Sequence, residues 1–235
     1  MLDAHAISPS NDRRIAAAIV AAVTLAFAIA GASSCGKGDE QPTQPSSPVA
    51  TKPHEPLASK PDKNMVAVLE TTAGTIVIAF YSDEAPGHTV AFQNMFRLGF
   101  FDGTTFFRVI PKHIIQGGDP NTKDDNPYDD GLGQESQRRL AAEFSPRLRQ
   151  VRGTVSAAHQ TGDNDSATSQ FFIVTGPERQ LDGKYTIFGH VVEGMEVVDA
   201  IAAAPLRTDD LRLRERPVDP VRITRGYLRP RKATE

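Results

Sequence analysis

The chain has 235 residues, enough for one or at most two domains. Hydrophobic residues make up 39% and charged residues 23%, which is typical of a soluble globular protein, and the net charge of −3 gives no reason to expect a nucleic-acid partner. The eight arginines between Arg207 and Arg231 are interleaved with acidic residues, so this stretch predicts a solvated surface. A single cysteine, Cys35, excludes an intrachain disulfide.

The first 35 residues carry the features of an export signal. Arg13 and Arg14 precede an uncharged, Ala-rich run at 15–30, which small residues follow. This order of basic flank, apolar run and small residues is that of a secretory signal. The run is short for a spanning helix, which needs about 20 residues. Residues 1–34 are therefore predicted to be a signal peptide.

Cys35 stands where the small residues end, and it resembles the lipidated cysteine of bacterial lipoproteins. That family usually has leucine three positions earlier, where this chain has Ala32. The resemblance predicts lipidation of Cys35 and an anchor on the periplasmic or extracytoplasmic side of a bacterial membrane. Two alternatives stay open: cleavage by an ordinary signal peptidase at 30–32, or an uncleaved helix that serves as the anchor. All three place the rest of the chain outside the cytoplasm.

Residues 35–64 are predicted to be a disordered tether. The stretch 36–64 holds six of the seventeen prolines and no aromatic residue. Such a composition does not bury enough apolar surface to offset the entropy lost on ordering. The proline content favours an extended, semi-stiff chain between the membrane and a folded domain.

From Met65 onward the pattern indicates short strands and two helices. Alternating apolar residues on both sides of a Thr-Ala-Gly turn predict a hairpin over 65–81, and Pro86 opens an amphipathic helix that Gly99 ends. A polar loop is predicted at about 120–137. Further strands are predicted at about 104–110, 113–117, 151–157, 169–174, 185–191 and 220–227, with a second helix near 194–203. This pattern predicts a mainly β fold: a closed, mostly antiparallel barrel with capped ends.

Three segments in this region carry a family resemblance. They are "FFRVIPKHIIQGGD" (106–119), "SQFFIV" (169–174) and "LDGKYTIFGHVVEGMEVVDAI" (181–201), and they resemble, in order, the signature segments of cyclophilins. Cyclophilins are peptidyl-prolyl cis–trans isomerases. The similarity covers about 65–228, which is predicted to be the isomerase domain, with a basic tail at 229–235. The resemblance implies an eight-stranded antiparallel barrel capped by two α-helices.

The resemblance also assigns roles to individual residues. The family's catalytic arginine falls on Arg108. Substrate-binding positions fall on His113, Ile114, Gln116, Ala158, His159, Gln160, Gln170, Phe172, Leu181 and Tyr185. The chain departs from the family at three of the matched positions: His113 replaces the usual phenylalanine, Gln180 the tryptophan and Tyr185 the histidine.

Strand alternation supports part of this assignment. Side chains alternate along a strand, so Gln170 and Phe172 share one face while Phe171 takes the other. Ile114 and Gln116 likewise share a face. Strict alternation puts His113 on the opposite face, so its place in the pocket requires a local bend.

Isomerisation of an Xaa-Pro bond needs no nucleophile, metal or cofactor. The barrier of about 18–20 kcal/mol comes from amide resonance, so a site that binds the twisted amide better than the planar one lowers it. In the twisted amide the prolyl nitrogen regains its lone pair, and Arg108 can donate a hydrogen bond to it because arginine stays protonated. Gln116 can hold the neighbouring carbonyl.

The expected partners are proline-containing peptides and unfolded client proteins, with a membrane contact through the lipid anchor. An isomerase exported in this way would assist the folding of exported proteins. The alternative is a catalytically weak, membrane-tethered binding or chaperone module of the same fold, because the polar ring of His113 could weaken a pocket for proline.

Overall fold

The computed structural model describes residues 57–233, which form eight β-strands and two α-helices. In chain order these are β1 (Met65–Thr71), β2 (Gly74–Phe80), α1 (Pro86–Arg97), β3 (Arg108–Ile110), β4 (Ile114–Gly117), β5 (Thr154–Ala157), β6 (Phe171–Val174), β7 (Ile187–Glu193), α2 (Met195–Ala202) and β8 (Ile223–Pro230). The mainly β fold with two helices is as predicted.

All eight strands belong to one antiparallel sheet, in the order β3-β4-β6-β5-β7-β2-β1-β8. The sheet curls into an open half-barrel, so the prediction of a closed barrel was wrong. In the described part of the chain, the segments before the edge strands β3 and β8 meet at one isolated bridge, between Thr105 and Arg222. The N–H of Val109 in β3 donates instead to the carbonyl oxygen of Glu215, at 2.7 Å. The loop before β8 therefore occupies the free edge of β3.

The main apolar core lies on one face of the sheet, under the two helices. Alternate residues of β1 and β2, such as Leu69 and Ile76, are fully buried there. Helix α1 packs against β7 and β8, and α2 packs against β2, β3 and β4. Phe92 of α1 stacks on Phe188 of β7, with ring centroids 4.1 Å apart. These contacts fix the strands that carry the predicted site residues.

Both ends of α1 are defined by single residues. The predicted stop at Gly99 is confirmed, since Gly99 has a left-handed backbone (φ +63°). At the other end, the carboxylate of Glu143 accepts hydrogen bonds from the backbone N–H groups of Gly87 (2.8 Å) and His88 (2.9 Å). Glu143 therefore satisfies donors that the first turn of a helix leaves without partners.

Residues 57–64, the end of the predicted tether, lie along α1. Ala58 and Asn94 exchange two hydrogen bonds (2.8 and 2.9 Å), and Asp62 and Gln93 exchange another two (2.9 and 2.8 Å). The ordered part of the domain thus includes residues on the N-terminal side of Met65.

The remaining predictions about the N-terminal region lie outside the described residues. These are the signal peptide, the lipidation site Cys35 and the tether as far as residue 56, and the last two residues of the basic tail are also outside. Between residues 57 and 233, no helix has both the length and the apolar character needed to cross a membrane.

Candidate active site

Three neighbouring strands bring the predicted residues together. In the sheet register Arg108 of β3 lies opposite Gln116 of β4, and Gln116 lies opposite Phe172 of β6. Residues opposite each other in a sheet point to the same side, so these three side chains form a row. Their neighbours Phe171 and Ile173 point into the main core, which is the alternation predicted from the sequence.

The row borders an open pocket of about 500 Å³. Its apolar part is a small cluster, separate from the main core, built on the buried side chains of Ile114 and Phe172. Nine of the residues that the family resemblance selects line this pocket: Arg108, His113, Ile114, Gln116, Ala158, His159, Phe172, Leu181 and Tyr185. Gln160 and Gln170 line an adjoining depression of about 620 Å³, which shares Gln116, Ala158 and His159 with the first.

The guanidinium group of Arg108 is held by two acceptors. Its Nε donates to Oε2 of Glu215 at 2.6 Å, and one terminal nitrogen donates to Oε1 of Gln116 at 3.1 Å. The Arg108 side chain is 38% exposed, so part of the group faces the pocket. Arg108 is thus a cation held in one orientation, with further N–H donors that can bind a ligand. A freely solvated surface arginine has no such fixed orientation.

The polar row continues from Gln116 to a buried carboxylate. Nε2 of Gln116 donates to Oε1 of Gln170 (3.0 Å), and Nε2 of Gln170 donates to Oδ2 of Asp119 (3.2 Å). Asp119 is fully buried and also accepts from the backbone N–H groups of Gly131 (2.6 Å) and Gly133 (3.1 Å). Asp119 therefore ties the row to the polar loop that borders the second depression.

His113 reaches the pocket through the local bend that strict alternation required, although the sequence did not show where this bend lies. Lys112 has a positive φ of 65°, which is uncommon outside glycine, and the N–H of His113 donates to the carbonyl oxygen of Ile110 at 3.0 Å. His113 consequently precedes β4, which begins at Ile114, and strand alternation does not govern where it points.

The ring of His113 contacts a carboxylate that the sequence analysis missed. Nδ1 of His113 lies against Oε1 of Glu178, and Nε2 of Gln180 donates to Oε2 of the same residue at 2.9 Å. Glu178 is only 5% exposed, whereas His113 is 51% exposed. His113 and Gln180 stand where cyclophilins usually have aromatic residues. Polar side chains at both positions were the signal in the sequence that a polar residue contacts the two of them.

Aromatic rings line part of the pocket wall. Tyr185 stacks on His159, with ring centroids 4.4 Å apart, and meets Phe172 edge to face at 5.2 Å. Nε2 of His159 lies 2.8 Å from the carbonyl oxygen of Lys184. Tyr185 is therefore fixed between a half-buried ring, that of His159, and the buried ring of Phe172.

Comparisons with known proteins agree with this geometry. The family description "Cyclophilin type peptidyl-prolyl cis-trans isomerase/CLD" matches residues 66–227. Peptidyl-prolyl cis-trans isomerase-like 1 of Mus musculus is 35% identical over 161 residues, which cover 68% of this chain and 89% of that protein. Peptidyl-prolyl cis-trans isomerase cypE of Dictyostelium discoideum is 35% identical over 160 residues, covering 67% of this chain and 94% of that protein.

Solved structures show the same fold. A cyclophilin type peptidyl-prolyl cis-trans isomerase of Cryptosporidium parvum, crystallised in the presence of the dipeptide Ala-Pro, superposes with a TM-score of 0.62 at 26% identity. The superposition covers 70% of this chain and 98% of that one. The extent of the sequence match, together with the shared fold, establishes that this chain belongs to the cyclophilin-type peptidyl-prolyl cis-trans isomerases.

Proposed function

We propose that the pocket beside Arg108 is where this isomerase binds Xaa-Pro segments, and that Arg108 is its catalytic residue. The observation that carries the proposal is the row in which Arg108, Gln116 and Phe172 stand side by side on three strands. Each of these groups suits one part of a prolyl peptide. The spare N–H donors of the arginine suit the prolyl nitrogen, the amide of the glutamine suits the neighbouring carbonyl, and the apolar ring suits the proline ring. The other residues selected by the family resemblance are proposed to bind the peptide around this row.

The proline ring fits the apolar part of the pocket. Ile114 and Phe172 are 7% and 3% exposed, and Leu181 and Tyr185 pack against them. Burying the ring there fixes the prolyl side of the bond, while the residue before proline stays free to rotate. The crystallisation of the Cryptosporidium parvum relative with Ala-Pro supports this choice of ligand.

Arg108 would act mainly in the transition state. A planar amide nitrogen accepts hydrogen bonds poorly, and the twisted one accepts them well, so donation by Arg108 stabilises the twisted form selectively. A hydrogen bond to a charged group contributes about 1.5–3 kcal/mol, which corresponds to about ten- to a hundredfold in rate. Larger accelerations require the apolar pocket to favour the twisted bond as well.

Exchange spectroscopy on a short Xaa-Pro peptide tests the location of the site. With catalytic amounts of the protein, cis and trans peptide signals should exchange faster, and backbone signals of Gln116 and Phe172 should shift on titration. The amide of Asp199, on the surface in α2, serves as the reference signal. Rapid exchange without any shift at Gln116 or Phe172 would place the active site elsewhere. Tight binding without exchange would favour the catalytically weak binding module.

The cellular role is proposed to be the folding of exported proteins at a bacterial membrane. The support comes from the sequence: Arg13 and Arg14, the apolar run at 15–30 and Cys35 follow the order of a lipoprotein signal. Cys35→Ser should release the chain from the membrane fraction or leave it unprocessed. If wild type and Cys35→Ser both stay in the membrane with residues 1–34 attached, the segment is an uncleaved anchor. Soluble wild type cleaved near residue 32 would identify an ordinary signal peptide.

A further inference from the structure

The guanidinium group of Arg108 is oriented from two directions. Gln116 accepts from a terminal nitrogen on the side of β4, and Glu215 accepts from Nε on the side of the loop before β8. Arginine has five N–H donors in a planar fork. Two acceptors at different edges of that plane fix the direction in which the remaining donors point.

Glu215 contacts Arg108 from the side away from the substrate pocket. Arg108 lines the 500 Å³ pocket and also a smaller cavity of about 260 Å³. Glu215 lines only the smaller cavity, together with Phe107, Asp130 and Arg216 among others. The carboxylate can therefore hold Arg108 without meeting a peptide in the larger pocket.

The backbone of Glu215 is itself fixed to β3. Its carbonyl oxygen accepts from the N–H of Val109 at 2.7 Å, and Val109 is the residue next to Arg108. Main chain and side chain of Glu215 thus bind two successive residues of the same strand. This double attachment keeps the carboxylate in register with the guanidinium.

The residue after Glu215 anchors the loop on its other side. The Arg216 side chain, 16% exposed, pairs with the carboxylate of Asp130, which is 5% exposed. The backbone N–H of Arg207 donates to the carbonyl oxygen of Arg216 at 2.9 Å, and Leu206 forms a bridge with Pro217. Glu215 is therefore held at a defined place and does not sit on a freely moving loop.

We propose that Glu215 is a positioning residue for the isomerase reaction, acting through Arg108 and not on the peptide. Arginine has several rotatable bonds, so holding its guanidinium in place before the peptide binds removes an entropic penalty from the transition state. The proposal rests on the catalytic role proposed for Arg108. The two residues are 107 positions apart, so no local sequence pattern connects them.

Kinetics with a matched control test this inference. Glu215→Ala should lower kcat/KM for a short Xaa-Pro peptide by about three- to fivefold, mainly through kcat, because the pair is partly exposed. Glu215→Gln keeps an acceptor oxygen and should lose less. Asp209→Ala removes the same charge from the same loop and should leave kcat/KM unchanged, since Asp209 pairs with Arg207 instead.

A spectroscopic signal reports the contact without catalysis. The side-chain ¹⁵N–¹H signal of Arg108 Nε should be protected from solvent exchange in the wild type and in Asp209→Ala, and should lose that protection in Glu215→Ala. In an Arg108→Ala background, Glu215→Ala should cause no further loss of activity.

The outcomes separate the two proposals. A folded Glu215→Ala or Glu215→Gln that turns over as fast as the wild type, while Arg108→Ala is impaired, overturns the role of Glu215 alone. Faster turnover in Glu215→Ala also overturns it, because the carboxylate would then compete with the peptide for Arg108. Full activity of Arg108→Ala overturns the catalytic role of Arg108, and with it the need to position that residue.

Discussion

The imidazole of His113 lies against the carboxylate of Glu178 at the edge of the substrate pocket. The other oxygen of this carboxylate accepts from Gln180 at 2.9 Å. A nearly buried carboxylate needs hydrogen-bond donors, so Glu178 depends on both polar neighbours. His113 and Gln180, the two departures from the usual family residues, therefore share one partner, Glu178.

Replacing His113 by phenylalanine should destabilise the fold even though it restores the usual family residue. Glu178 would lose one donor, and the free energy of unfolding should fall by about 1 kcal/mol, at the lower end for an unsatisfied buried group because His113 is half exposed. Urea denaturation measures this change. In a Glu178→Gln background the same replacement should have a smaller effect, since a neutral amide needs less compensation. Equal effects in the two backgrounds would contradict a direct interaction.

The burial of His88 predicts that the folded protein loses stability in mild acid. Burial lowers the pKa of this histidine, and the hydrogen bond to Glu143 (2.6 Å) offsets the lowering only in part. Nδ1 faces the carboxylate, while Nε2 is buried without a hydrogen-bond partner among the described residues, so a proton there would be unsatisfied. The pKa of His88 in the folded protein lies below its unfolded value of about 6.5. The stability that neutral His88 contributes is therefore present above the unfolded pKa and is lost as the pH falls through the folded pKa.

The measurement compares unfolding free energies at several pH values below 7 for the wild type and His88→Asn. Asparagine can donate to Glu143 but does not take up a proton, so its stability should depend less on pH. Burial, and to a smaller extent the charge of Arg231, also lowers the pKa of His190. His190 therefore adds a pH dependence of the same sign to the stability of both the wild type and His88→Asn. Identical pH profiles for the two proteins would show that His88 is not the group responsible.

Asp119 should matter both for stability and for turnover. Its carboxylate accepts from Gly131, Gly133 and Gln170 in a fully buried setting, so Asp119→Ala leaves several donors unsatisfied and should cost about 3 kcal/mol of unfolding free energy. Gln170 would lose one of the two acceptors of its Nε2 group and keep the carbonyl oxygen of Gly131, and Gln116 beside it would be less well placed, so kcat/KM should also fall. Asp119→Asn keeps one acceptor oxygen, so its stability and its kcat/KM should lie between those of the wild type and Asp119→Ala. Asp125→Ala, on the exposed surface, is the control, and losses of similar size in it would refute a specific role for Asp119.

Local patterns predicted the elements that local physics controls. Pro86 and Gly99 delimit α1 because proline fits the first turn and glycine the left-handed stop, and the alternation at 171–174 follows from strand geometry. The pocket residues were found through a motif resemblance, and they lie together because β3, β4 and β6 are neighbours in the sheet.

What the sequence did not reveal depends on pairing between distant segments. Glu215 covers the edge of β3 through its backbone hydrogen bond with Val109, and no sequence pattern near either segment specifies that contact. The bend before His113 depends on a positive φ at Lys112, a backbone conformation that residues other than glycine rarely adopt. Glu143 and Glu178 each bind a histidine that is at least 55 positions away, and a lone glutamate carries no signal of such a partner.

The most direct test of the account is the isomerase activity of Arg108 variants on a short Xaa-Pro peptide. Arg108→Ala should lower kcat/KM by about ten- to a hundredfold while the domain stays folded. Arg108→Lys should also lose most activity, because lysine keeps the charge but not the planar fork that meets Glu215 and Gln116 together. Arg152→Ala, which breaks a surface pair with Asp199, should remain as active as the wild type. Near-normal turnover in Arg108→Ala would contradict the mechanism.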